Sequence, residues 1–167
     1  MMKKYLLAVI MLFLGFSKVQ AQHINFQDML SLVGASTAQI NQFLTVGKKF
    51  EFLSTDMTQG IPVNKYQNRY GADGFRETVI TGMGTRQVDG KVLHVLSYTT
   101  TSVKHINELI KQITKYGYPL TFKGNDNDKM IRTYESDLYS VAVYTPLPGK
   151  SGYYSVEVHE KRLITLD

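Results

Sequence analysis

Residues 106–122 read INELIKQITKYGYPLTF, and residues 40–52 read INQFLTVGKKFEF. Both passages open on Ile-Asn, carry apolar residues three and four apart, reach a glycine, and continue as an alternating, aromatic-rich segment. In the later copy this spacing lays Val103, Ile106, Leu109, Ile110 and Ile113 along one stripe of a helix, with Lys104, Glu108, Lys111, Gln112 and Lys115 elsewhere on its surface. Gly117 and Gly47 stand where a helix end favours a left-handed residue. Period-two alternation then predicts a strand after each helix, through Tyr118, Leu120 and Phe122 and through Phe50 and Phe52. Ser36 and Gln39 fit a capping box, so the earlier helix is expected to begin near Thr37 and to bury Ile40, Phe43 and Leu44. Upstream, Phe26, Met29, Leu30 and Val33 share the helical spacing, with Gly34 as the break.

Strand-like segments follow each passage. In the first half they cover residues 65–70, 76–87 and 91–99, the last two joined across Asp89-Gly90, a strong two-residue hairpin signal. In the second half they cover residues 130–136, 139–145 and 153–161, with GNDND and PLPGKSG as turns. The expected fold is therefore α+β: two tandem repeats of a helix plus antiparallel sheet, about residues 26–99 and 100–161, with the helices packed on one face. This layout, with its helix-glycine-aromatic junctions at Gly47 and Gly117, resembles the β-lactamase inhibitor protein and related small exported bacterial proteins built from duplicated helix-on-sheet units. The resemblance implies a protein that binds another protein on the outer face of its sheet.

The N-terminus reads MMKKYLLAVIMLFLGFSKVQAQ. Lys3 and Lys4 precede an apolar run from Tyr5 to Phe16, and Val19-Gln20-Ala21 is a small-x-small cleavage site, which predicts a secretory signal over residues 1–21 and a single exported domain over 22–167. The run is shorter than the roughly 18 residues that span a bilayer. Cleavage removes Lys3, Lys4 and Lys18, leaving 16 of 19 basic residues against 14 acidic ones and lowering the formal charge from +5 to +2. So small an excess does not suggest a nucleic-acid partner, which draws on clustered positive charge. With no cysteine there is no disulfide, no thiolate metal site and no acylated cysteine, so a periplasmic or secreted protein without a membrane anchor is expected.

Catalytic patterns fail one by one. PGKSG ends like a phosphate loop, but Tyr144 stands where the first glycine is required and a hairpin turn explains the stretch. His159-Glu160 starts like a zincin pair, yet Leu163 replaces the second histidine. Asp126 and Asp128 lack the glycine and distant glutamate of a calcium loop. His23, His94, His105 and His159 show no ligand spacing, although His94 and His159 could meet across a sheet. No metal, cofactor or catalytic residue is assigned on these grounds.

What remains is surface. Taking Leu93, Val95, Val141, Val143, Val156 and Val158 as the covered face, the opposite parity sends Tyr98, Arg132, Tyr134, Tyr144 and Tyr153 outward. Tyrosine and arginine are enriched at protein interfaces, so these residues are the expected contact surface for a protein partner. A second candidate is the loop QNRYGADGFRE, where Arg69, Tyr70 and Arg76 suit a sugar or anion. The expected function is a non-enzymatic exported binding or envelope-associated protein; the alternative is a small periplasmic hydrolase or sugar- or anion-binding protein using that loop.

Overall fold

The structure, a computed structural model, describes residues 23–70, 75–86 and 92–161. The expected export signal and the expected Asp89-Gly90 turn lie outside these residues. The chain enters through helix α1 (Phe26–Val33), whose Asn25 cap accepts from Asp28 N while the Asp28 side chain accepts from the cap. Helix α2 (Thr37–Asn41) begins on the expected Ser36–Gln39 capping box. It then widens into π-helical turns over Gln42–Gly47. Four strands follow: β1 (Glu51–Thr58), β2 (Ile61–Tyr70), β3 (Phe75–Arg86) and β4 (Val92–Thr100). Helix α3 (Val103–Lys115), capped by Ser102, leads to β5 (Leu120–Asp126), β6 (Lys129–Glu135), β7 (Tyr139–Pro146) and β8 (Tyr154–Glu160).

All eight strands form one antiparallel sheet in the order β1-β2-β3-β4-β8-β7-β6-β5. Two meanders therefore meet at β4 and β8, with β1 and β5 at the edges. Helices α1 and α3 both contact β4 and β8, covering the central seam. Among the described residues, no helix is long and apolar enough to cross a membrane.

The helical stripe behaves as its spacing requires, with adjustments. Ile106, Leu109 and Ile113 are buried, while Ile110 is only half-buried at the margin and Val103 is exposed. Ile40 and Leu44 are buried, and Phe43 packs partly against the core. Val141, Val143, Val156 and Val158 are fully buried beneath the helices, as alternation predicts. In β4 the parity is the reverse of the expected one. Leu96 and Tyr98 enter the core, because Tyr98 lies opposite Val156 and Leu96 opposite Val158, and directly paired residues share a face. Leu93 and Val95 consequently sit on the other face.

Gly82 lets β3 keep its pairing with β4 past a bulge. It has φ +81 inside a bulge where the β3–β4 register shifts between Ile80 and Met83, and a Cβ there would lie 2.1 Å from Pro62 O. Only glycine tolerates both conditions.

Candidate functional site

The sheet has two faces of different character. On the helix-covered face, the segment before α1 is tied down at several points. Lys48 Nζ donates to His23 O (3.1 Å) and pairs with Asp28 Oδ2 (2.9 Å); Phe26 N donates to Gln112 Oε1 (2.8 Å); His105 Nε2 meets Ile24 O (2.9 Å). A carbonyl can only accept, so Nε2 of His105 carries a proton and its Nδ1 keeps the lone pair. His105 occupies the third position of α3, where Ser102 Oγ receives its backbone N–H and the helix turns the imidazole inward.

These ties bring His23, His105, Tyr98 and Glu77 together. Glu77 stands on β3 between its cross-strand neighbours Asn68 and Thr100, all three buried. Glu77 Oε1 accepts from Tyr98 Oη (2.5 Å) and lies 2.8 Å from His23 Nδ1. The His23 and His105 rings are 4.8 Å apart, and Tyr98 meets His105 edge-on at 5.6 Å. Burial lowers the His105 pKa; the charge of Glu77 opposes this shift and the neighbouring His23 adds to it, so the imidazole is held toward its neutral form. Histidines without sequence spacing thus converge through tertiary packing. The available signal was His105 itself, a polar residue interrupting the apolar stripe of Ile106 and Leu109.

The opposite face has no described helix over it. Across its middle runs the row Ile80, Ser97, Glu157, Ala142, Thr133, Phe122, one residue from each of six adjacent strands. Large side chains stand at both ends of this row and small ones beside Glu157, with Ser97 and Ala142 buried. His159 Nε2 lies 3.2 Å and Tyr144 Oη 3.4 Å from Glu157 Oε2. The carboxyl is held below its ordinary range chiefly by the His159 hydrogen bond, against the opposing effect of burial. Tyr144 is pushed upward, first by burial and then by that carboxylate, and Lys129 Nζ lies 5.9 Å from its ring centroid.

The expected contact residues divide between these settings. Tyr144 lies on the open face, and Tyr153 is exposed just before β8. Tyr98 and Tyr134 do not: both are buried, Tyr98 against α3 and Tyr134 opposite Val141. Arg132 is opposite Val143 on the covered side and half-buried, with Nη2 3.8 Å from Met130 Sδ. These three corrections share a cause, since pairing with the buried valines of β7 and β8 sets the parity of β6 and β4. The supposed loop around Arg69, Tyr70 and Arg76 is largely a β2–β3 ladder, with Arg69 opposite Arg76 and Tyr70 opposite Phe75. Only its tip, residues 71–74, lies outside the described residues. Arg76 is exposed and its backbone N–H donates to Thr101 Oγ1 at 3.2 Å.

Comparison with known proteins returned no match to a family model, to a curated protein or to a solved structure.

Proposed function

We propose that the chain is an exported, non-catalytic binding protein composed of two helix-and-four-strand units, and that its partner is a protein seated on the open sheet face. The observation that carries this reading is the row of small side chains around Glu157. A face meant only for water would fill its centre with long charged side chains; this one places Ser97, Ala142 and Thr133 beside a single ionised carboxylate, between Ile80 and Phe122. Such a surface suits a protruding loop with an apolar anchor and a Lys or Arg reaching Glu157. The cysteine-free sequence and its signal-like N-terminal stretch support an envelope or extracellular setting.

The experiment is site-specific photocrosslinking in cells, with the crosslinker at Phe122, exposed at one end of the row, or at Lys111 on the exposed side of α3. Discrete protein adducts are expected from position 122 and not from 111, and Glu157→Lys should abolish them in a chain that still folds, with only the modest drop in melting temperature that loss of the His159 and Tyr144 contacts brings. Adducts from position 111 alone, or adducts from 122 that survive Glu157→Lys, would overturn the assignment.

A further inference from the structure

We propose that His23, Glu77 and His105 form a binding site for one divalent transition-metal ion of the Zn2+ class, beneath the N-terminal segment and independent of the open sheet face. One ring nitrogen from each imidazole and one carboxylate oxygen lie within 4.8 Å of one another. Donors bound tetrahedrally to one zinc ion at about 2.1 Å are about 3.4 Å apart, so side-chain adjustment of about an ångström closes the set.

A separate observation points to a cation. Glu77 is 1% exposed. Its Oε1 is engaged by Tyr98 and His23, whereas Oε2 has no hydrogen-bond partner among the described residues. A buried carboxylate oxygen left without a donor is costly, and a dication beside it removes that cost.

The ligand set selects the ion. Two imidazoles and one carboxylate suit zinc and its neighbours, whereas calcium and magnesium require oxygen ligands. The backbone carbonyl of Ile24 holds the far nitrogen of His105, the kind of contact that orients a ligating imidazole. Glu77 is steadied in the same way by the Tyr98 hydroxyl. Glu108 Oε2, on the surface of α3, lies 3.8 Å from His105 Nδ1 and adds negative potential. The His23 side chain is 45% exposed, so the site is reached from that side. Three protein ligands with one open position describe a site that can exchange its ion or hold a water molecule.

The test uses the untagged full chain, titrated with Zn2+ at neutral pH against a chromophoric chelator, together with His23→Ala, Glu77→Gln and, as a control outside the cluster, His94→Ala. One Zn2+ per chain is expected, weakened about tenfold to hundredfold by His23→Ala and by Glu77→Gln and unchanged by His94→Ala. Zn2+ should raise the melting temperature of the wild type and not that of Glu77→Gln. Co2+ should give the visible spectrum of a four- or five-coordinate ion, lost in Glu77→Gln. Absence of stoichiometric binding, equal affinity in wild type and both cluster variants, or equal competition by Ca2+ would overturn the proposal. A Glu77→Gln chain that melts lower yet binds Zn2+ as tightly would also overturn it, by showing the cluster to be a hydrogen-bond network alone.

Discussion

Replacing Tyr98 by alanine tests the register on which both surfaces depend. Its ring is fully buried between β4 and α3, in edge-on contact with His105, and its hydroxyl donates to Glu77. Truncating a buried aromatic residue costs about 3–5 kcal/mol. Losing a hydrogen bond to a charged group adds about 1.5–3 kcal/mol, partly overlapping the first figure. A loss of about 5 kcal/mol corresponds to a fall in melting temperature of roughly 10–20 °C for a chain of this size. Tyr98→Phe keeps the ring and should lose only the hydrogen-bond share, about 1.5–3 kcal/mol. Tyr144→Ala removes a ring from the open face and should cost about 1 kcal/mol or less. Urea denaturation of the three variants beside wild type separates these values. Equal losses for Tyr98→Ala and Tyr144→Ala would refute the β4 register and, with it, the placement of Glu77 and Glu157 on opposite faces.

At Gly82, where an added Cβ would meet the Pro62 carbonyl oxygen, Gly82→Ala should destabilise by about 2–4 kcal/mol. Gly117 has the same positive φ but open space around it, so Gly117→Ala should cost about 1 kcal/mol; a ranking in the other order by thermal melting would contradict the bulge geometry. Because the Glu157 pKa is depressed in the folded state, the stability its ionisation contributes is complete above the ordinary carboxylate value and disappears as pH falls through the lowered one. The urea-midpoint difference between wild type and Glu157→Gln should therefore stay constant down to about pH 5.5 and shrink toward about pH 3; a difference that grows with acidity would contradict the His159 hydrogen bond.

Local signals in the sequence carry more of the fold than distant ones. Ser36 and Gln39 announce the start of α2, and Gly117 the end of α3, because caps are set by residues within one turn. The valines of β7 and β8 alternate cleanly with Ser, Ala and Glu, so their faces follow from the pattern. Strand β4 reads VLHVLSYTT, with apolar residues on both parities, and only its pairing with β8 decides which of them are covered. The same applies to Tyr134, whose side is set by Val141 on the neighbouring strand. His23, Glu77 and His105 come from the segment before α1, from β3 and from α3, so no short motif contains them. The surroundings of Glu157 are half legible: alternation puts Tyr144 on the open face, but the small residues beside it gain meaning only once six strands are aligned.

The meeting of β4 and β8 at the centre of the sheet governs the order in which the molecule can be assembled. Strand β4 is made early in synthesis, yet Val95 waits for His159 and Tyr98 for Val156. Until then an intermediate would expose a long apolar edge in what becomes its middle, which invites pairing with another chain. Closure joins residues far apart along the chain, a step that slows folding. Loss of β8 would split the sheet along its midline and uncover the core on both sides, whereas loss of β1 or β5 would remove only an edge.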